Sequence, residues 1–293
     1  MNKDLIVETF DLTRIYGNGE EVRALDGVNI EIYEGEIVAI MGPSGSGKST
    51  LLHLIGALDL PSDGRILIAG QDLAQVKNLD RFRNETVGFV FQLHNLIPTL
   101  TAHENVEVPL YEQKLSGKRR RERAREMLEL VGLGDRAKHL PGQLSGGQRQ
   151  RVAVARALVT DPALVLADEP TGELDAETSA EIIGMMQRLN QELGTTFIIV
   201  THDPAVARQT DRIIELASGR VAREHRVGSP FEEDWKELRD SGLGQAVIDG
   251  HERDLQVDGR ALYEEGELTE DGRILRRLLT QQSENVDQAQ FDH

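Results

Sequence analysis

The chain has 293 residues, of which 39% are hydrophobic and 28% are charged. A chain of this size and composition can bury a full hydrophobic core, which excludes a disordered, collagen-like or fibrous protein. It contains no cysteine, which excludes disulfides, thiolate zinc sites, iron–sulfur clusters and cysteine nucleophiles. Its 50 acidic residues outnumber its 33 basic residues, and the net charge of −17 argues against a broad nucleic-acid-binding surface.

Neither a secretory signal nor a membrane span is expected. The first residues, 1–17, contain no long apolar run and no small-residue cleavage site. The longest apolar stretches, such as 163–167 and 197–200, are far shorter than the roughly 20 residues that cross a bilayer. Any membrane role of this chain is therefore expected to depend on a partner protein.

Predicted strands and helices alternate along the first part of the chain. Apolar and polar side chains alternate over 28–33, which predicts a strand with one buried face, whereas 37–41 is continuously apolar and predicts a strand covered on both faces. Further patterns predict, in chain order, a helix at 47–58, a strand at 65–69, mostly helices over 96–160, a strand at 163–167, a helix at 176–193 and a strand at 195–200. This alternation indicates an α/β fold with a largely parallel sheet.

The composition changes near residue 226. Residues 226–293 hold 17 acidic and 8 basic side chains, so more than half of the net charge lies in less than a quarter of the chain. We expect one domain at 1–226 and an acidic extension at 227–293. Apolar residues at helical spacing predict that the extension is a small, mainly helical appendage; these residues are Phe231, Trp235, Leu238, Ile274, Leu275, Leu278 and Leu279. Its end is expected to fray after about Gln281, and a regulatory or partner-binding role competes with an acidic tail that has no function.

A glycine-rich loop follows the strand at 37–41 and matches G-x-x-x-x-G-K-[ST]. Its backbone N–H groups can face a phosphate, Lys48 can reach the β- and γ-phosphates, and Ser49 can offer a hydroxyl to Mg²⁺. The alternative is a flexible glycine–serine loop, but the flanking strand, the lysine and the following helix all favour phosphate binding. The candidate residues are Gly42, Pro43, Ser44, Gly45, Ser46, Gly47, Lys48, Ser49 and Thr50.

Two carboxylates end the buried strand at 163–167. Asp168 can hold Mg²⁺ through a water molecule, and Glu169 can polarise an attacking water. Acidic residues at a sheet rim are often structural, but a phosphate loop on the same sheet favours the catalytic interpretation.

A second candidate anion site precedes the helical stretch that ends near residue 160. It consists of a serine and two glycines at a helix start, followed by a glutamine; these are Ser145, Gly146, Gly147 and Gln148. The alternative is a simple N-cap formed by Ser145 over Gln148. One nucleotide needs only one γ-phosphate site, so a symmetric dimer could supply this second site to its neighbour.

These motifs together resemble those of the ATP-binding subunit of an ABC transporter. Residues 42–50 resemble the Walker A motif, 144–148 the LSGGQ signature, and 164–169 the Walker B motif with its catalytic glutamate. The similarity covers about residues 4–225. It implies an α/β P-loop NTPase fold of ABC type, with a mostly parallel core sheet, an antiparallel β subdomain and a helical subdomain at about 93–160.

The resemblance also implies roles for single residues. Gln92 falls at the Q-loop, Asp175 at the D-loop, His202 at the switch histidine, and Tyr16 where an aromatic ring stacks on adenine, although an aromatic residue near the start of a chain is more often part of the core. The cofactors implied are ATP and Mg²⁺. The catalytic residues implied are Glu169, His202, Gln92 and Lys48, the metal ligands are Ser49, Gln92 and Asp168, and the nucleotide contacts are Tyr16, residues 42–50, residues 145–148 and Asp175.

Phrases at 88–92, 95–98, 100–102, 104–106 and 166–172 are similar to the group that includes lipoprotein-releasing, macrolide-exporting and cell-division ATPases. Two departures from that group's pattern stand out. Glu173 replaces a frequent Asn, and Leu93 and His94 follow Gln92 where Gln-x-Phe is common. We expect neither departure to affect the chemistry.

The resemblance implies an ATPase homodimer that closes around two MgATP and moves a separate integral membrane permease, for export or extraction of a substrate. It would lie on the cytoplasmic face of the cell membrane. The alternative is a mechanical regulator of a non-transporting membrane partner, of the cell-division type. A soluble ATPase acting on DNA or ribosomes is disfavoured, because there is one cassette and no cysteine for zinc modules. The basic run at 118–126 is expected to be a solvated helix face rather than a nucleic-acid or lipid contact, because acidic residues interleave with it.

Overall fold

The structure is a computed structural model that describes residues 4–17, 21–228, 238–239, 241–249, 255–257, 260–264 and 267–277. The chain divides into two units, residues 1–227 and 228–293. The strands of the first unit are β1 Leu5–Tyr16, β2 Val22–Val28, β3 Glu31–Tyr33, β4 Ile37–Met41, β5 Asp63–Ile68, β6 Gln71–Asp72, β7 Val87–Phe91, β8 Leu164–Asp168, β9 Thr196–Val200, β10 Arg212–Ala217 and β11 Arg220–Arg226. Its α-helices are α1 Lys48–Ile55, α2 Leu79–Thr86, α3 Ala102–Glu107, α4 Gly117–Leu130, α5 Gly146–Leu158, α6 Ala176–Leu193 and α7 Pro204–Ala207. Short 3₁₀ helices lie at Leu73–Gln75, Val108–Glu112, Gly134–Arg136 and Pro141–Gln143.

A six-stranded sheet in the order β11-β10-β4-β9-β8-β7 forms the centre of the first unit. The strands from β10 to β7 are parallel, and β11 pairs with β10 antiparallel at the edge. The largely parallel sheet predicted from the sequence is therefore present.

The buried central strands are continuously apolar because their two faces enter different cores. Val165 and Ala167 of β8 pack with the helical cluster formed by α3–α6. Leu164 and Leu166 of the same strand pack with α1 and the antiparallel strands. Because successive side chains of a strand point to opposite faces, both sets must be apolar when helices or sheets cover both faces.

A second, antiparallel sheet has the order β2-β1-β5-β6, and β3 also pairs with β1. The sequence analysis did not predict the long β1, because register shifts and a left-handed residue at Asp11, with φ 47°, interrupt its alternation. The single strand expected at 28–33 is divided between β2 and β3. At the break, the Thr9 hydroxyl donates to the Val28 carbonyl at 3.0 Å and accepts from the Ile30 N–H at 2.9 Å.

The stretch expected to be mostly helical contains α3, α4 and α5. The basic run lies on α4, where its arginines and lysine pair with acidic side chains, many of them three or four residues away. These pairs are those of a solvated helix face. No helix in the described part of the chain is long and apolar enough to cross a membrane.

The second unit combines helices with a small sheet. Helix α8 spans Gly242–Asp249, residues 270–277 are helical, and strands β12 Leu255–Val257, β13 Arg260–Glu264 and β14 Glu267–Leu268 form an antiparallel sheet. Its buried core contains Val247, Leu262 and Tyr263. The sequence analysis did not predict this sheet, because strands of two to five residues are too short to show a clear period of two. Phe231, Trp235, Leu278, Leu279 and Gln281 lie outside the described residues.

Candidate active site

Four neighbouring parallel strands bring most of the candidate residues to one edge of the central sheet. Because β4, β9, β8 and β7 run in the same direction, their carboxyl ends lie together. Gly42 follows β4, His202 follows β9, Asp168 ends β8 with Glu169 next, and Gln92 follows β7. Ligands of open parallel sheets bind at this edge.

The phosphate loop has a backbone that only glycine adopts without strain. Gly42 and Gly47 have φ values of 147° and 103°. A Cβ at Gly42 would lie 2.2 Å from the Leu216 carbonyl oxygen, and one at Gly47 would lie 2.5 Å from that of Ala24. The loop therefore packs directly on neighbouring backbone, with no room for a side chain at either glycine.

Lys48 begins α1, and this helix has no side-chain N-cap. The Lys48 ammonium donates to the carbonyl oxygens of Gly42 at 2.8 Å and Pro43 at 3.0 Å, so it curls back over the loop. The Ser46 hydroxyl is buried and has no hydrogen-bond partner, and Ser49 lies on the exposed first turn of α1 with Thr50. The loop thus offers a cation, hydroxyls and an uncapped helix N-terminus, all of which suit a phosphate.

Glu169 and His202 are in direct contact. The Glu169 N–H donates to the Val200 carbonyl at 2.9 Å, which ties the residue after β8 to the end of β9. Glu169 has a left-handed φ of 47°. Its Oε1 lies 2.8 Å from Nδ1 of His202, and this carboxylate raises the pKa of His202. A left-handed residue at a strand end is the kind of strained conformation that often accompanies a functional site.

Asp168 lies partly buried beside this pair. Burial raises the pKa of Asp168, the adjacent Glu169 carboxylate raises it further, and His53 and Lys48 oppose the rise. Lys48 also lowers the pKa of His202, against the larger effect of Glu169. The electrostatic contacts therefore place the phosphate-loop lysine, the two carboxylates and the histidine in one cluster.

Gln92 lies against the segment after Glu169. Its amide Nε2 donates to Oε1 of Glu173 at 3.3 Å. A Cβ on Gly172 would lie 3.0 Å from the same Nε2, so the amide rests on the glycine backbone. Glu173, one of the two departures from the group's pattern, therefore contacts a candidate catalytic side chain.

The signature residues cap a helix on a different part of the first unit. Ser145 and Gln148 form a capping box at the start of α5, with hydrogen bonds of 2.9 and 3.2 Å. The two glycines between them approach Leu174 and Thr178, where added Cβ atoms would lie 3.0 and 2.6 Å from these side chains. The contacts of this motif therefore run to α6 and its preceding loop rather than to the phosphate loop. The N-cap alternative describes these contacts well.

Asp175 and Tyr16 also have structural contacts. Asp175 caps α6 by accepting from the N–H of Thr178 at 2.9 Å and from its hydroxyl at 2.8 Å, and these bonds lower the pKa of Asp175. Tyr16 ends β1, donates to Asp59 at 2.9 Å and stacks under the Arg14 guanidinium, 4.6 Å from the ring centroid. These contacts hold both side chains but do not test their expected nucleotide contacts.

Sequence reasoning missed two residues near Gln92, and both were visible as departures from the family pattern. One is Glu173. The other is His94, which is buried and whose pKa is influenced by the backbone of Gly146 at the start of α5. Burial lowers the pKa of His94. His94 therefore lies close to the start of the signature helix.

A glycine-rich loop between a buried strand and a helix, with carboxylates ending a nearby parallel strand, defines a P-loop nucleotide hydrolase. The profile of the family described as "ABC transporter" matches residues 25–172. The chain belongs to this family and is an ATP-binding subunit with ATPase activity. The predicted ABC-type P-loop fold is confirmed.

Three similar proteins illustrate the match. The lipoprotein-releasing system ATP-binding protein LolD of Chromohalobacter salexigens is 48% identical, over 76% of this chain and 95% of LolD. The macrolide export ATP-binding/permease protein MacB of Hyphomonas neptunium is 50% identical, over 74% of this chain and 34% of MacB. An ATP-binding cassette of Methanocaldococcus jannaschii, solved as a dimer in a post-hydrolysis state bound to ADP and Pi, is 47% identical, with a TM-score of 0.69 over 76% of this chain and 99% of the other.

Proposed function

We propose that this ATPase dimerises around two MgATP and drives a conformational change in a separate membrane permease, for export or extraction of a substrate. The observation that carries this proposal is the contact between Glu169 and His202 beside the phosphate loop. Lys48 of the phosphate loop acts electrostatically on His202, which supports a role for the Glu169 carboxylate in polarising water beside the phosphates.

The residues of this edge fit a magnesium nucleotide. The phosphate loop packs on neighbouring backbone at Gly42 and Gly47, and the buried hydroxyl of Ser46 has no hydrogen-bond partner in the protein. Mg²⁺ binds hard oxygen ligands, and Ser49, Gln92 and Asp168 would provide a hydroxyl, an amide oxygen and a carboxylate. Bound Mg²⁺ would neutralise charge that develops on the phosphates.

Each protein residue at the site then has its own catalytic role. Lys48 and the loop N–H groups hold the β- and γ-phosphates in place. Glu169 accepts a hydrogen bond from the attacking water and orients this water in line with the γ-phosphate. His202, held by Glu169, reaches the γ-phosphate as a donor. Tyr16, which is 37% exposed and whose ring is also contacted by the Arg14 guanidinium, would stack on adenine.

Dimerisation would complete each site. The capped N-terminus of α5 carries Ser145, two glycines and Gln148 outside the phosphate-loop cluster, so a neighbouring subunit can present these residues to the γ-phosphate. Asp175, at the adjacent start of α6, would lie at the same interface. The dimeric form of the similar cassette from Methanocaldococcus jannaschii supports this arrangement.

A groove with a volume of about 370 Å³ is a candidate docking site for the membrane partner, and it supports that part of the proposal. It lies next to Gln92, because its walls include β7, which ends one residue earlier, and the C-terminal end of α5. The lining combines apolar and basic residues, among them Leu58, Phe89, Pro109, Arg83 and Arg156. A permease segment docked here would hold the subunit on the cytoplasmic face of the membrane and move with the Gln92 segment.

The names of the similar proteins favour transport over the alternative, a mechanical regulator of the cell-division type. The test is co-purification with the membrane protein encoded beside its gene, followed by reconstitution in vesicles. ATP-dependent movement of a substrate that stops in Lys48→Ala would support the transport proposal. ATP hydrolysis that changes the partner without any flux would favour the regulator.

A further inference from the structure

We propose that Glu173 is a positioning residue that sets which end of the Gln92 amide faces the nucleotide. The carboxylate holds the Gln92 Nε2, and the Oε1 is thereby left for Mg²⁺. This inference rests on the proposed role of Gln92 as a metal ligand, and it assigns a function to a residue at which this chain departs from its family group.

The backbone next to Gln92 is firmly anchored. Gln92 directly follows β7, and after it His94 and Asn95 adopt left-handed φ values of 61° and 48°. The partly buried Arg156 of α5 donates to both of their carbonyl oxygens, at 2.8 and 2.6 Å. The Cα of Gln92 is therefore fixed between a sheet strand and a braced turn, and only its side chain remains to be oriented.

The Gln92 side chain packs against Gly172 and Glu173. Its amide rests on Gly172, where the closest approach of an added Cβ would be 3.0 Å to Nε2 and 3.4 Å to Cδ. The next residue, Glu173, receives the amide hydrogen bond at 3.3 Å. Contact with the glycine backbone and contact with the carboxylate are separate observations, and both place the same end of the amide against this loop.

The hydrogen-bonding chemistry of Gln92 and Glu173 decides the orientation of the Gln92 amide. An ionised carboxylate has lone pairs but no hydrogen to donate, so only the NH₂ end of an amide can face it. The oxygen and nitrogen of Gln92 leave Cδ in different directions, so this contact turns Oε1 away from Glu173. An Asn or Gln at position 173 could accept or donate and would permit both orientations. Side chains that orient a metal ligand in this way support metal affinity from outside the ligand set.

The expected loss of metal affinity follows from the rotamer freedom that the Gln92 side chain regains when Glu173 is replaced. Removing the acceptor frees side-chain rotamers, which corresponds to a loss of about threefold to tenfold in metal affinity. Glu173→Gln keeps an acceptor that can also donate. It therefore releases only the choice between the two amide orientations of Gln92, which corresponds to a roughly twofold loss in metal affinity. Glu173→Leu should therefore weaken metal binding more than Glu173→Gln.

The test measures Mn²⁺ affinity of the ATP-bound protein by electron paramagnetic resonance, with hydrolysis slowed by Glu169→Gln in every sample. ATP affinity without metal is measured in parallel. We expect Glu173→Leu to weaken Mn²⁺ binding threefold to tenfold, Glu173→Gln about twofold, and both to leave metal-free ATP binding unchanged. Glu192→Gln, an exposed acid near the end of α6, controls for the loss of one charge.

A Gln92→Ala variant separates this inference from the proposed function. If Gln92→Ala leaves Mn²⁺ affinity unchanged, Gln92 is not a metal ligand and that part of the proposed function fails. If Gln92→Ala weakens Mn²⁺ binding but Glu173→Leu does not, the positioning role is overturned. Equal losses in Glu173→Leu and Glu173→Gln would also overturn it, because they would indicate attraction by charge. In the Gln92→Ala background, Glu173→Leu should have no further effect.

Discussion

Replacement of Glu169 by Gln tests the centre of the proposed mechanism. The amide has nearly the same size as the carboxylate, and its oxygen can still accept from Nδ1 of His202, 2.8 Å away. The left-handed backbone and the N–H bond to Val200 do not depend on the side-chain charge. Glu169→Gln should therefore fold and bind MgATP like the wild type, and lose only the charge that polarises water.

The size of the loss follows from that charge. A positioned general base accelerates a reaction by about 10²–10⁴-fold, which corresponds to roughly 3–5 kcal/mol of transition-state stabilisation. We expect phosphate release at saturating MgATP to fall at least about a hundredfold. Because binding survives and reopening depends on hydrolysis, the variant should accumulate as an ATP-bound dimer, which size-exclusion chromatography with light scattering detects.

Glu192→Gln is the matched control, because it makes the same chemical change at an exposed position near the C-terminal end of α6, away from the proposed dimer interface. Its turnover should match that of the wild type. Turnover at the wild-type rate in Glu169→Gln would remove this residue from the catalytic role. Loss of nucleotide binding in Glu169→Gln would instead show that the carboxylate is needed to build the site.

Three further predictions address the dimer, the histidine and the extension. Ser145→Arg should block dimer closure and ATPase activity but keep nucleotide binding. Mixing this variant with Lys48→Ala subunits should restore one composite site in each heterodimer. Absence of nucleotide binding in the Ser145→Arg monomer would point to misfolding. The pKa of His202, followed by NMR, should lie above its ordinary value and fall in Glu169→Gln, because the carboxylate that raises it is gone. The small stabilisation from this raised pKa is complete below the unfolded pKa, about 6.5, and is lost as pH rises through the folded value. Truncation after Val227 should keep MgATP binding but change dimerisation, ATPase rate or partner coupling; no change in any of these would show that the second unit has no such role.

The sequence alone identified the parts whose signal is local. Helix α6 spans the predicted residues 176–193, and the glycine that follows it, Gly194, ends it. The phosphate loop was recognised because its glycines, its lysine and its flanking elements lie within a short stretch of chain, and strand β8 because its apolar run ends in two acids. In each case the deciding interactions join residues that are close in sequence.

Only the tertiary structure showed which of these parts meet. The order β4-β9-β8-β7 brings together strand ends that are far apart in the chain, and no local pattern encodes the order of strands in a parallel sheet. The contact between Gln92 and Glu173 joins residues 81 positions apart, so a departure that looked incidental in sequence became a neighbour of a candidate ligand. The long β1 was missed for a related reason: it is stabilised by pairing with three other strands, and its register shifts hide the alternation that would identify a strand in isolation.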